Sequence, residues 1–246
     1  MNRQEADAAA EALHVVVLRL DSKRAGWLVI ADHDQVLSKL IEIGDTVAAV
    51  VTAAEALAAE AFGGDAGLMA PLGGLFDRVG SATREAAEQF REARDALRRE
   101  LAKHQDEGPR RRSQRSPWQP SPSGNSVLGP LTDATATVWA LVRPRDAGNA
   151  SDLSEHWWLY AGLARLMAEL WSICRAEEAR ISTAYCGVET VRSPERVQQA
   201  VSNAARQWHR AGMVFIAMLE LLRRRARQGG AAPVGARVAV TSGAER

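Results

Sequence analysis

Apolar residues recur at alternating steps of three and four along most of this chain, the spacing that gathers side chains on one side of an α-helix. Over residues 4–24, Leu13, Val16, Val17 and Leu20 share such a face, and a first helix is expected there. Gly26 interrupts it. The run GWLVI at 26–30 has the composition of a strand, but no second strand stands ready to pair with it, so it reads as the approach to the next helix. That helix, expected over 34–61, carries Val36, Leu40, Ile43, Val47, Val50, Ala54 and Leu57 on one face. Gly44 is a weak point in it, costing about 1 kcal/mol against alanine.

The stretch FGGDAGLMAPLGGLF at 62–76 holds five glycines and Pro71, and reads as a helix breaker. Its Leu68, Met69, Leu72 and Leu75 make it a packed turn. A third helix is expected over 76–104, with Phe76, Val79, Thr83, Ala86, Phe90, Ala93 and Leu97 inward and Leu101 closing the stripe. Its outer face is laced with charges at helical spacing, as solvated helices are.

The pattern then fails. GPRRRSQRSPWQPSPSG, residues 108–124, is rich in proline, serine and arginine and contains no acid. With Pro130 beyond it, the stretch 108–130 reads as a disordered linker, because proline breaks helices and so few apolar groups cannot repay ordering. The Pro-x-x-Pro spacing at 117–120 is compatible with polyproline recognition, but a tether is the better reading. A flexible segment of about 26 residues reaches roughly 28 Å, enough to cross the end of a helix bundle.

Helical spacing returns in a short helix, 132–142, stopped before Pro144, and in a long one from Ser151 to Tyr185. The stripe of the long helix reads Leu153, Trp157, Tyr160, Ala164, Met167, Trp171 and Cys174, then Glu178 as an interruption, then Ile181 and Tyr185. Leu159, Leu163, Leu166, Leu170 and Ile173 widen its apolar arc, which marks a central helix. Ser193-Pro194-Glu195 is a strong helix start. The last helix runs to Gln228 on Val197, Val201, Ala204, Trp208, Ala211, Phe215, Met218 and Leu222, a narrow stripe of the coiled-coil kind. Residues 229–246 read as a disordered tail.

The fold expected is therefore all-α: about six helices, the long ones antiparallel in a bundle. An N-terminal helical block (1–107) and a C-terminal block (131–228) pack on each other. Composition agrees, with 46% hydrophobic and 25% charged residues in 246. No stretch approaches a membrane span and the first residues lack a signal-peptide pattern, so a cytoplasmic protein is expected. The two cysteines, Cys174 and Cys186, are too few for a disulfide framework and read as reduced packing residues.

Charge changes the picture more. The net charge of +1 conceals −7 over residues 1–108, +4 over 109–130, −3 over 131–190 and +7 over 191–246. An acidic front and a basic back can neutralise each other, or the basic end can meet an anionic partner. The 28 arginines against 3 lysines suit phosphate forks, although a GC-rich coding sequence explains them as well.

Chemistry is sparse. Glu11-Ala-Leu-His14 is one Glu-x-x-His step where a di-iron bundle needs two, and it reads as a border histidine. Asp32-His33-Asp34 reads as a polar helix entrance. No motif names a catalytic residue, a metal ligand or a cofactor site. Two surface features remain. Arg206, Arg210 and Arg224 lie within about 40° of one another opposite the apolar stripe of the last helix, over about 27 Å of its length, and Arg223, Arg225 and Arg227 extend the charge. Trp158 falls on the polar arc of its own helix, beside Arg165 and Glu169, as an interface anchor would. The leading expectation is a non-enzymatic helical interaction or scaffold protein that self-associates through apolar helix stripes, its partner another copy or another helical protein. A non-specific nucleic-acid-binding role for the six arginines comes second, and an enzyme with a site not visible as a motif third.

Overall fold

The computed structural model describes residues 1–21, 29–103, 125–142, 152–185 and 194–228. Among them every regular element is an α-helix: α1 (Arg3–Asp21), α2 (Ile30–Phe62), α3 (Ala66–Lys103), α4 (Asn125–Ala140), α5 (Leu153–Tyr185) and α6 (Pro194–Gln228). The expected disordered tail, the linker up to residue 124, Cys186 and the Ser193 cap lie outside the described residues.

The stripes expected on α3 from Phe76 to Leu97 and on α6 are buried position for position, and Leu101 is partly buried at the end of the first. Following packed neighbours leads from α2 to α3, α6, α5, α1 and α4, and from α4 back to α2. One hydrophobic core draws on all six helices. α2 and α5 also meet directly, through His33 and Glu177 toward one end and Phe62 and His156 toward the other. Buried threonines satisfy their hydroxyls within their own helices: Thr46 donates to the Glu42 carbonyl at 2.7 Å and Thr135 to that of Leu131 at 2.7 Å.

Three expectations are corrected. The glycine-rich stretch at 62–76 breaks the helix only over 63–65: α3 begins at Ala66 and runs through Pro71, Gly73 and Gly74. Asp65 starts it, its carboxylate accepting from the Leu68 backbone N–H at 3.2 Å and its carbonyl from Met69 at 2.9 Å. Pro71, the sixth residue of α3, removes one ladder bond. Leu68 and Leu72 are buried in phase with Phe76 and Val79, and that packing outweighs the propensity penalty.

Residues 125–130, assigned to the linker, form the first part of α4, Pro130 included. Val127, Leu131, Ala134, Val138 and Leu141 are all buried, so the apolar stripe starts before the proline rather than after it. α2 likewise begins four residues earlier than expected, at Ile30, with the Val29 N–H donating to Asp32 Oδ2 at 3.0 Å.

The third correction is the rotation of α5. Its buried face contains His156, Leu159, Tyr160, Leu163, Met167, Cys174 and Glu177, while Trp171 is 41% exposed. Trp157 packs at the border of the core. The stripe expected from spacing lies along one edge of a wide apolar arc, whose centre faces the core, so Trp171 lies outside and Glu177 points inward.

Candidate functional site

On the outer side of the α5–α6 seam α6 lies against α5 at Gly212, where an added Cβ would make ordinary contact, 3.4 Å from Met167 Cβ and 3.8 Å from the Ala164 carbonyl oxygen. On either side of this contact the surface is apolar. Trp171 on α5 is 41% exposed, and Met213 and Ile216 on α6 are 52% and 50% exposed. The Trp171 ring meets the His209 ring with centroids 6.0 Å apart. His209, Met213, Ile216 and Glu220 follow at steps of four, three and four, which is one face of α6. Among the described residues the other exposed large apolar side chains are Val15 and Leu18 on α1, 40% and 57% exposed, and Trp139 on α4.

Arg206, Arg210, Arg223, Arg224, Arg225 and Arg227 on α6 are all exposed. Arg224 and Arg223 share Glu220 at 3.2 and 4.0 Å, and Arg225 reaches Asp65 at the start of α3 at 2.6 Å. Arg206 hydrogen-bonds the Asn203 amide oxygen and Arg210 that of Gln207, the latter at 3.3 Å. Beside Arg206 a surface cleft of about 340 Å³ is lined by Glu85 and Glu88 of α3. The arginines thus share their helix with an acidic neighbour along part of its length.

Trp158 is half-buried. The Arg3 guanidinium stacks 3.9 Å above its ring and the edge of Trp157 lies against it at 4.7 Å, so the residue helps hold α1 to α5. Arg165 pairs with Glu11 at 2.7 Å and His14 with Glu169 at 3.2 Å across the same seam, which accounts for both members of the Glu-x-x-His step. Among the described residues no group of three or more histidine, cysteine or carboxylate side chains could hold a metal.

Sequence reasoning missed the buried ionisable groups. His33 Nδ1 and Glu177 Oε1 stand 2.6 Å apart, with side chains 1% and 0% exposed. Burial pushes the nearby Cys174 thiol well above its usual pKa, and the charge of Glu177 adds to that. His156 packs on Phe62 and Tyr160, and burial holds its pKa below the ordinary value. Burial raises the Tyr185 hydroxyl to about 12. A signal for the His33–Glu177 pair was present only in the correct phase of α5, where Glu177 follows Cys174, Ile173 and Leu170 inward.

No protein-family model, curated protein or solved structure matches this chain.

Proposed function

We propose that this protein is a non-enzymatic helical interaction module that associates with itself through the outer face of α5 and α6. One observation carries the reading: Trp171, Met213 and Ile216, three large apolar side chains each about half exposed, gather at a single helix seam. Isolated apolar residues are ordinary on a protein surface, but a cluster with a polar rim is what an interface presents. Burying the exposed half of each contributes about 1 kcal/mol, or about 6 kcal/mol gross over two copies, less the cost of association. A reversible, concentration-dependent oligomer is the form this predicts. The bundle behind it has its long helices alternating in direction. In support, Asp34 pairs with Arg98 and Asp45 with Arg91 between α2 and α3, and Gln89 with Asn203 between α3 and α6. Light scattering over a range of concentrations tests the reading: mass should rise toward a multiple of 26.6 kDa, and Met213→Ser with Ile216→Ser should abolish the rise while leaving the fold intact.

A second reading rests on Arg206 and Arg210, whose hydrogen bonds go to neutral amides. With Arg223, Arg224, Arg225 and Arg227 they could follow the phosphates of a duplex without reading its sequence. Such binding would weaken steeply with salt, and replacing Arg206, Arg210 and Arg224 by alanine would flatten the salt slope by up to about three counterions. The acidic face of α3 works against it.

A further inference from the structure

We infer that the occupant of this face is a second copy of the same chain, seated so that the two α6 helices cross the interface side by side in opposite directions. The inference rests on the self-association reading and specifies its geometry. A two-fold interface brings the same patch together from both copies, so residue i meets j and j meets i. The exposed face of α6 is built for that exchange. Its residues Arg206, His209, Met213, Ile216, Glu220 and Arg223 follow at steps of three, four, three, four and three. That spacing reads the same in both directions, about a centre between Met213 and Ile216.

Reversal about that centre sets Met213 against Ile216 of the second copy, and Ile216 against its Met213. One rung further out, His209 meets Glu220 of the second copy, and the same pair recurs at the opposite end. Apolar rungs thus fall in the middle and complementary rungs on both flanks. His209 already carries Trp171 at its side, which widens the buried apolar area. Side-by-side pairing in the same direction would instead put Glu220 on Glu220 and His209 on His209, with no complementary rung. The outermost rung, Arg206 opposite Arg223, is repulsive and lies at the solvated rim, which limits the contact to four rungs. Glu220 is 44% exposed and holds Arg223 and Arg224 only through solvated pairs, so it can turn to a new partner at little cost.

A charge swap on the full chain tests this. His209→Glu should face Glu220 of its partner at both ends, and Glu220→Lys should face His209 at both ends. Each variant alone should weaken dimerisation in sedimentation velocity by about tenfold or more. An equimolar mixture should recover to within about threefold of the unaltered protein, because the mixed dimer is complementary at both ends. Circular dichroism confirms that the variants are folded. A second readout needs no charge change: in a Cys186→Ser background, copies carrying Met213→Cys mixed with copies carrying Ile216→Cys should cross-link on oxidation more than either alone. If the unaltered protein dimerises but the single variants bind as tightly, or the mixture fails to recover, the geometry is wrong and self-association runs through another face. If the unaltered protein stays monomeric at every concentration, both the geometry and the reading it rests on fail, and the face belongs to a different protein.

Discussion

His33 and Glu177 sit 2.6 Å apart where α2 meets α5, each fully enclosed. Such a pair offsets its own desolvation only while both members are present, so removing one leaves a buried group uncompensated. Glu177→Leu alone and His33→Leu alone should each destabilise by about 3–5 kcal/mol. The double substitution should cost much less than the sum, and a double-mutant cycle by urea unfolding would show a large coupling. Additive losses would mean that the two groups do not support each other. The tryptophans divide in a similar way by surroundings. Trp208 is completely buried, and Trp208→Ala should cost about 3–5 kcal/mol. Trp171→Ala should cost only about 1–2 kcal/mol, because 41% of the residue already faces water, and should weaken association as well. Thermal melts and light scattering on the two variants separate these outcomes.

The glycines are informative at the scale of the element. Gly74 lies within α3 with no atom near the place a Cβ would take, so Gly74→Ala should stabilise by about 0.5–1 kcal/mol through the unfolded chain's lost freedom. Gly162→Ala should do the opposite. A Cβ there would stand 2.7 Å from Ala6 Cβ, and α1 would have to move away from α5. Melting temperatures that rise for the first and fall for the second are the expected result. If both rise, the α1–α5 approach is looser than described. Gly44 belongs with Gly162: an added Cβ would come within 3.1 Å of Ala87 Cβ, so what reads in sequence as a weak point is the place where α2 and α3 approach each other.

At the scale of the whole molecule, one core joins helices from both ends of the chain, and its stability should depend on pH through His156. Burial lowers the pKa of that imidazole, so the folded protein favours the neutral form while the unfolded chain takes up a proton more readily. Its contribution is therefore complete above the ordinary histidine value of about 6.5 and is lost as pH falls from there through the lower folded-state value. His156→Gln, which keeps a side-chain donor toward the Asp152 carbonyl, should make the melting temperature less sensitive to pH between roughly 7.5 and 5. An unchanged slope would place the pH dependence elsewhere.

Helical class, the number of helices and the inward faces of α3 and α6 were legible from residue spacing alone, because a narrow apolar stripe has only one way to face a core. α5 was not, since an apolar arc wider than half a turn allows several rotations, and only its neighbours choose among them. Packed against α1 and α6, it turns Glu177 inward to His33 and leaves Trp171 outside. The same dependence decided the start of α3, where glycines and Pro71 oppose a helix locally and the burial of Leu68 and Leu72 outweighs them. The α6 arginines could be counted in sequence, but their acidic neighbours on α3 and the apolar residues beside them could not. Local spacing determines what a segment can become; which of its faces meets water is settled by contacts between residues far apart in the chain.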